Sequence, residues 1–106
     1  MIHVVYYRKY NRLTMNGHAG AAEHGQDIVC ASASMLAYTL AVNVANMADN
    51  GQVRQPIMNL TDGDAEISCN PKCNLKNTVT LVFDSICAGF ELLAHDYPAN
   101  ISYEIR

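Results

Sequence analysis

The longest apolar segment of the chain runs from Ile28 to Ala48 and contains no charged residue. Asp27 stands directly before it, where a carboxylate suits the N-cap of a helix. Asp49, Asn50 and Gly51 follow it, and a glycine just past the last turn is a common helix stop. We therefore predict a helix from about residue 28 to residue 48.

A second apolar pattern, from Asn77 to Tyr97, repeats at intervals of three and four residues. That spacing places the apolar side chains on one face of an α-helix, and Pro98 closes the segment because the residue before a proline is pushed out of the helical region. The residues on this face are Val79, Val82, Ile86, Phe90, Leu93 and Tyr97. The pattern predicts an amphipathic helix.

Five shorter segments have the composition or the alternation of β-strands. The first two are predicted to join near Tyr10 and Asn11, and the next two around the turn from Thr61 to Asp64. The order β-β-α-β-β-α-β predicts an α/β fold in which two long helices cover a small mixed sheet, as one domain over residues 1–106. The predicted strands are Ile2 to Tyr7, Arg12 to Asn16, Pro56 to Leu60, Ala65 to Ser68, and a last one around Ile101, Tyr103 and Ile105.

The first predicted helix is apolar on nearly all sides. At 100° per residue most of its apolar residues fall in two adjoining arcs, and Ile28, Met35 and Val42 lie opposite them. Such a helix needs cover on more than one face, and the chain offers only one other long helix. We expect a homodimer; the alternative is a helix covered by its own chain.

The same helix is long enough to be tested as a membrane span. Polar residues such as Ser32 and Asn43 interrupt it, and Asp27 and Asp49 flank it where basic anchors are typical. We therefore expect a buried helix and no membrane association.

The formal net charge is −3, and the seven Lys and Arg residues are scattered, so no basic stripe is available for a row of phosphates. Nucleic acid is not an expected partner. The apolar run from Met1 to Tyr7 is short, and its charges follow it, unlike those of a signal peptide. We expect a cytoplasmic protein whose four cysteines are reduced thiols.

Cys69 and Cys73 form a C-x3-C pair around Pro71. One interpretation is a small zinc-binding interaction module, although no second ligand pair follows. The other is a turn between elements, with Asn70 and Asn74 supplying the turn chemistry. We predict no metal and no cofactor.

The segment GHAGAAEHGQDIVC, residues 17–30, holds the candidate chemistry. With Asp27 as N-cap, Cys30 falls in the first helical turn, where backbone N–H groups and the helix dipole favour a thiolate. His18 is the nearest candidate cation by sequence, and the loop between them can fold back to bring the two together. The alternatives are a cysteine that only packs in the core and a histidine that only stands in a turn.

The pattern GHA-x(5)-G-x-DIVCA, formed by residues 17–19, 25 and 27–31, resembles the signature of the ribosomal-processing cysteine protease family, called Prp. The similarity continues through Ser34 and, more loosely, to the acidic turn at residues 62–64 and the end of the second helix. Position 21 departs from the pattern, because it is alanine where the family commonly has an aromatic residue.

The resemblance implies a cytoplasmic, homodimeric endopeptidase in which Cys30 is the nucleophile and His18 the general base. It implies a protein substrate, namely a large-subunit ribosomal protein made with an N-terminal extension and cut between an aromatic-rich stretch and a small residue. Related phage-encoded enzymes are implied to process capsid or scaffold proteins. A non-catalytic protein that uses Cys30 for binding or redox sensing is a further alternative.

Supporting roles are expected for residues around this pair. Asp27 caps the helix and is a candidate to orient His18, while the Ala31 N–H is a candidate oxyanion donor. Ser34, one turn after Cys30, is a candidate for contact with substrate or backbone. The glycines of the segment suggest a loop that opens and closes around a peptide: Gly17, Gly20 and Gly25.

Overall fold

A computed structural model describes residues 1–22 and 27–106, and in that part of the chain the elements follow the predicted order. A short 3₁₀ turn, Arg8–Tyr10, joins the first two strands, and Asn11 ends it in the left-handed conformation, with φ 46°. The predicted α/β fold, with two long helices and a small mixed sheet, is confirmed. The strands are β1 (Ile2–Tyr7), β2 (Arg12–Asn16), β3 (Val53–Thr61), β4 (Asp64–Pro71) and β5 (Ile101–Ile105), and the helices are α1 (Ile28–Asp49) and α2 (Lys76–Asp96).

The five strands form one sheet in the order β3-β4-β2-β1-β5. Strands β1 and β5 are parallel, and the other neighbours are antiparallel. Along β1 the side chains of Ile2, Val4 and Tyr6 are buried, whereas those between them are exposed or half-buried. Because successive side chains of a strand point to opposite faces, the core lies on one face of the sheet, where the helices pack.

The β3–β4 hairpin is longer than its sequence predicted. Strand β3 begins at Val53, before Pro56, and β4 continues through Cys69 to Pro71. Pro56 is tolerated in β3 because this is an edge strand and its register shifts between Arg54 and Ile57, and Pro71 is the last residue of β4. The expected turn around Pro71 is therefore wrong for residues 69–71, which belong to the sheet.

Helix α1 places a continuous row of apolar side chains on the core. Its C-terminus is closed by Gly51, which takes φ 73° and donates its N–H to the Ala48 carbonyl at 3.0 Å. The three residues predicted to lie on the opposite side are exposed: Ile28, Met35 and Val42. The buried row is Val29, Ala33, Ala37, Leu40, Ala41, Val44 and Met47.

Helix α2 buries Val79 and Phe90 of the predicted face and packs the other predicted positions, except Tyr97, half-buried against the core. The buried face also extends to Phe83, which stacks on Tyr6 with ring centroids 6.0 Å apart, and to Thr80, whose hydroxyl accepts a hydrogen bond from the Asn11 amide at 3.1 Å. Tyr97, predicted on the buried face, lies at the exposed end of the helix. The contacts with Tyr6 of β1 and with Asn11 after the 3₁₀ turn therefore determine which side of the predicted face is most deeply buried.

Both helices are long and apolar enough to cross a membrane by length and composition alone. Core helices of proteins outside membranes pass the same test, and each of these helices buries one face within the fold.

Candidate active site

Asp27 determines where α1 begins. Its carboxylate accepts hydrogen bonds from the backbone N–H groups of Val29, at 2.9 Å, and Cys30, at 3.0 Å. The second carboxylate oxygen accepts the Ala21 N–H at 3.0 Å. One side chain therefore caps the helix and also fixes the chain that leads into it.

The N–H donors around Asp27 also set its charge state. The Cys30 N–H, with help from those of Ala21 and Val29, holds the pKa of the Asp27 carboxyl below its usual range, although burial of the side chain acts in the opposite direction. The Asp27 carboxyl is therefore an anion at neutral pH, and the backbone N–H groups at the start of α1 stabilise its charge.

Cys30 lies half-buried in the first turn of α1, and its sulfur faces the segment that follows β2. The backbone N–H of Ala19 donates to the Cys30 Sγ atom at 3.3 Å. Ala19 is itself buried, with 4% of its surface exposed, so this donor is held within the fold. The Ala19 N–H is therefore a fixed hydrogen-bond donor to the Cys30 sulfur.

His18 lies against the tip of the β3–β4 hairpin. A Cβ atom built on Gly63 would stand 2.7 Å from the His18 Nε2 atom, so the imidazole packs directly against Gly63 and would have to move if position 63 carried a side chain. The Gly17 N–H donates to the Gly63 carbonyl at 2.9 Å, which joins the two segments beside the ring. The tip of the hairpin therefore limits the positions that the His18 ring can adopt.

A cavity of about 720 Å³ brings the predicted site residues together. Its walls come from the end of β2, the first turns of α1 and the β3–β4 hairpin. Ser34 is half-buried in this wall, one turn after Cys30. Apolar side chains such as Tyr38 and Leu60 line it beside polar ones. The lining includes Gly17, His18, Gly20, Asp27, Cys30, Ala31, Ser34, Asp62, Gly63 and Asp64.

The geometry bears on two of the predicted supporting roles. The Ala31 N–H donates to the Asp27 carbonyl at 3.0 Å, so a role as oxyanion donor would require the helix to release that bond. Gly17 has φ 101°, and a Cβ atom there would come within 2.1 Å of the Met1 carbonyl oxygen. Gly17 is therefore needed for close packing, and its predicted part in an opening loop stays a prediction.

Gly20, with φ 68°, has no atom near its Cβ position, and the predicted loop motion stays a prediction there. Gly25, together with Glu23 and His24, lies outside the described residues.

The other cysteines and histidines among the described residues lie outside the cavity lining. Cys69 and Cys87 are buried, each with 2% of its surface exposed, and Cys73 is exposed. Among residues 1–22 and 27–106, no three His, Cys, Asp or Glu side chains are grouped as metal ligands. His3 pairs with Ser102 on the outer face of the sheet.

Sequence reasoning did not identify Ala19 and Gly63 as site residues by contact. Ala19 acts through its backbone N–H, which no side-chain motif reports. Gly63 lies more than 40 residues from His18 along the chain, and the only signal for it was its place in the acidic turn.

A family model for the cysteine protease Prp matches residues 1–102. Among solved structures, the chain is similar to an essential ribosomal processing protease Prp from S. aureus in complex with a covalently linked product peptide. The TM-score is 0.74 at 22% identity, covering 99% of this chain and 97% of that one.

A second S. aureus Prp structure, in complex with a substrate peptide, gives a TM-score of 0.70 at 22% identity over the whole of both chains. SMU.848 from Streptococcus mutans gives 0.67 at 26% identity, covering 98% of this chain and 90% of that one. No curated protein matches the sequence significantly.

Proposed function

Because this chain belongs to the Prp family of cysteine proteases, we propose that it is an endopeptidase in which Cys30 is the nucleophile and His18 the general base. One observation carries the assignment: both side chains line the same cavity, and the Ala19 N–H donates to the Cys30 sulfur within it. His18 follows the end of a strand and Cys30 lies at the start of a helix, and both side chains line the same cavity.

The reaction follows from the chemistry of these two groups. His18 takes the proton of the Cys30 thiol, and the thiolate attacks the scissile carbonyl carbon to form a tetrahedral intermediate. The carbon–nitrogen bond then breaks, and the imidazolium gives its proton to the departing amine. Water hydrolyses the resulting thioester, which releases the carboxylic acid product and regenerates the thiol.

Asp27 and Ser34 support this reaction from α1. Asp27 uses its carboxylate on the N–H groups of Ala21, Val29 and Cys30, so it holds the nucleophile at the helix start. Ser34 stands in the cavity wall one turn further along, within the space a bound peptide would fill. Ser34 is therefore a candidate contact for the substrate.

The proposed substrate is a ribosomal protein precursor with an N-terminal extension, processed in the cytoplasm. The S. aureus structures are of ribosomal processing proteases, and one of them holds a substrate peptide. The lining of the cavity favours the binding of a peptide with an apolar segment, because Tyr38, Leu60 and Met15 line it beside small residues of α1.

The test is incubation of the protein with an N-terminally extended large-subunit ribosomal protein, followed by mass spectrometry of the products. We expect cleavage by the wild type and loss of cleavage in Cys30→Ala and His18→Ala. The matched controls are Cys73→Ser and His95→Ala, which remove an exposed thiol and an exposed imidazole outside the cavity lining.

Each outcome of this experiment bears on one part of the proposal. Cleavage that survives in Cys30→Ala contradicts the nucleophile. If the protein cleaves other proteins, such as virion precursors, but not the ribosomal precursor, the proposed substrate is contradicted and the proposed protease activity is not. Oxidation of Cys30 without cleavage of any protein favours a thiol sensor instead.

We also propose that the enzyme acts as a homodimer that covers the outer face of α1. Ile28, Met35 and Val42 recur every seven residues on this face and are 58–66% exposed. Met35 also borders a groove between the helices that reaches Leu92 of α2. Light scattering at micromolar concentration should give twice the chain mass, and Met35→Asp should return a monomer. A monomeric wild type would contradict the dimer.

A further inference from the structure

The residue that contacts the Cys30 sulfur is itself held from a distant part of the chain. The Ala19 carbonyl accepts a hydrogen bond from the Asn100 Nδ2 atom at 3.0 Å, while the Ala19 N–H donates to the Cys30 Sγ atom at 3.3 Å. Asn100 stands in the turn between α2 and β5, 81 positions further along the chain. Ala19 therefore links this turn to the nucleophile.

The backbone of Asn100 is fixed on both sides. Its N–H donates to the Tyr97 carbonyl, and its own carbonyl accepts the N–H of Ile2, both at 2.9 Å. Ile2 is a buried residue at the start of β1, with 2% of its surface exposed. The Asn100 amide thus extends from a rigid support, which is what a side chain needs in order to position another group.

The segment that carries Ala19 is also fixed at Gly17. The Gly17 N–H donates to the Gly63 carbonyl, and Gly17 packs closely on the Met1 carbonyl. His18 lies between the Gly17 and Ala19 attachment points. Loss of the Asn100 hydrogen bond would remove the attachment at the Ala19 carbonyl, so that Ala19 and its neighbour His18 would both be freer to move.

We infer that Asn100 is a positioning residue, which holds the Ala19 N–H against the Cys30 sulfur and so raises the reactivity of this side chain. The inference rests on the proposed function, because it assigns a purpose to Cys30 reactivity. The physical reason is that a hydrogen bond from a fixed N–H stabilises an anionic sulfur more than a neutral thiol, which is a weak acceptor. Asn100 acts only through Ala19 and does not need to contact the substrate.

The test measures the reactivity of Cys30 without any peptide substrate. The wild type, Asn100→Asp, Asn100→Ala and Asn100→Gln are alkylated with iodoacetamide from pH 5 to pH 10, and each cysteine-containing peptide is quantified by mass spectrometry. Asn100→Asp keeps the shape but has no donor when ionised, whereas Asn100→Gln keeps an amide donor. The control is Ala99→Asp, which adds the same negative charge at an exposed residue of the same turn and leaves the Asn100 amide in place.

We expect Asn100→Asp and Asn100→Ala to slow Cys30 alkylation at pH 7 by about five-fold, the scale of one hydrogen bond. Asn100→Gln should recover part of the rate, and Ala99→Asp should stay close to the wild type. In the peptidase assay the two donor-less variants should lower kcat more than they raise KM.

Other cysteines of the same molecule separate the possible outcomes. Cys73 is the internal reference for an exposed thiol, and the buried Cys69 and Cys87 stay unmodified only while the fold is intact. If Cys30 of the wild type reacts no faster than Cys73 at neutral pH, the proposed nucleophile is contradicted. If wild-type Cys30 reacts faster than Cys73 and Cys30 of folded Asn100→Asp keeps the wild-type rate, only the role of Asn100 is overturned.

Discussion

The imidazole of His18 lies directly against Gly63, so that a methyl group at position 63 would stand 2.7 Å from the ring nitrogen Nε2. Gly63 forms the tip of the β3–β4 hairpin with φ 76°, and its carbonyl accepts the Gly17 N–H. A hairpin that is distant from His18 along the chain is thus the surface on which the proposed general base rests.

This contact predicts that Gly63→Ala displaces the imidazole and lowers kcat/KM by about ten- to a hundred-fold, since small misplacements of catalytic groups are costly. The matched control is Gly51→Ala at the end of α1. Gly51 has nearly the same backbone conformation, with φ 73°, and the nearest atom to its Cβ position is 3.7 Å away.

Both variants should lose about 1 kcal/mol of stability from the left-handed backbone. Only Gly63→Ala should lose activity in proportion to the ring contact. Equal activities in the two variants, at equal thermal stability, would contradict the positioning of His18 by the hairpin.

Burial divides the four thiols into two classes. Desolvation raises the pKa of Cys69 to about 11 and that of Cys87 to about 12. At pH 8 both side chains are therefore neutral as well as inaccessible, and we expect iodoacetamide to label only Cys30 and Cys73 in the native protein. Peptide mass spectrometry checks this, and denaturation in guanidinium should add labels on the other two. Early labelling of Cys87 would be inconsistent with the packing of α2.

The capping carboxylate predicts a pH dependence of stability. The pKa of Asp27 is lowered in the folded state, chiefly by the Cys30 N–H, so its contribution is fully present above the usual carboxyl range and is lost as the pH falls through the lowered value. The difference in Tm between wild type and Asp27→Asn should therefore be largest above about pH 5 and shrink toward about pH 2.

The control for this measurement is Asp49→Asn at the opposite end of α1, where the helix dipole does not favour a carboxylate. Its Tm should differ little from the wild type across the same range. A gap for Asp27→Asn that widens as the pH falls would have the wrong sign and would contradict the capping role.

A buried hydroxyl makes Asp84 more important to stability than its ion pair suggests. Asp84 accepts a hydrogen bond from the Tyr6 hydroxyl at 2.8 Å and forms a bidentate pair with Arg8. Tyr6 is 1% exposed, so Asp84→Ala leaves its hydroxyl without this acceptor and should cost about 2 kcal/mol. Arg8→Ala breaks only a solvent-exposed pair and should cost less stability than Asp84→Ala. Urea unfolding of both variants distinguishes the two, and equal losses would argue against the hydroxyl as the cause.

Local patterns predicted the elements well where neighbours in the sequence decide them. The N-cap at Asp27 and the first-turn position of Cys30 depend on residues within one turn of each other, so the sequence alone was enough to predict both. The β3–β4 hairpin was predicted too short. Residue propensities indicate a strand boundary at Pro56, whereas an edge strand tolerates both this proline and the register shift beside it.

The choice of the buried stripe on α2 illustrates what periodicity leaves open. Val82 and Ile86 satisfy the helical repeat as well as Phe83 and Cys87 do, yet only the second pair is fully buried, whereas the first pair packs half-buried at the edge of the core. The stacking of Phe83 on Tyr6 and the hydrogen bond between Asn11 and Thr80 made the choice, and both partners are more than 60 residues away.

The sequence by itself determined the order of the elements, the capped start of α1 and the identity of the two candidate reactive groups, because each depends on local spacing. The tertiary structure decided what surrounds them. The Ala19 N–H faces the Cys30 sulfur, Gly63 lies under His18, and Asn100 holds Ala19, only because the sheet brings β2, the hairpin and the end of α2 to one place. Backbone donors and the absence of a side chain leave no signature in a sequence motif, so only the folded chain reveals them.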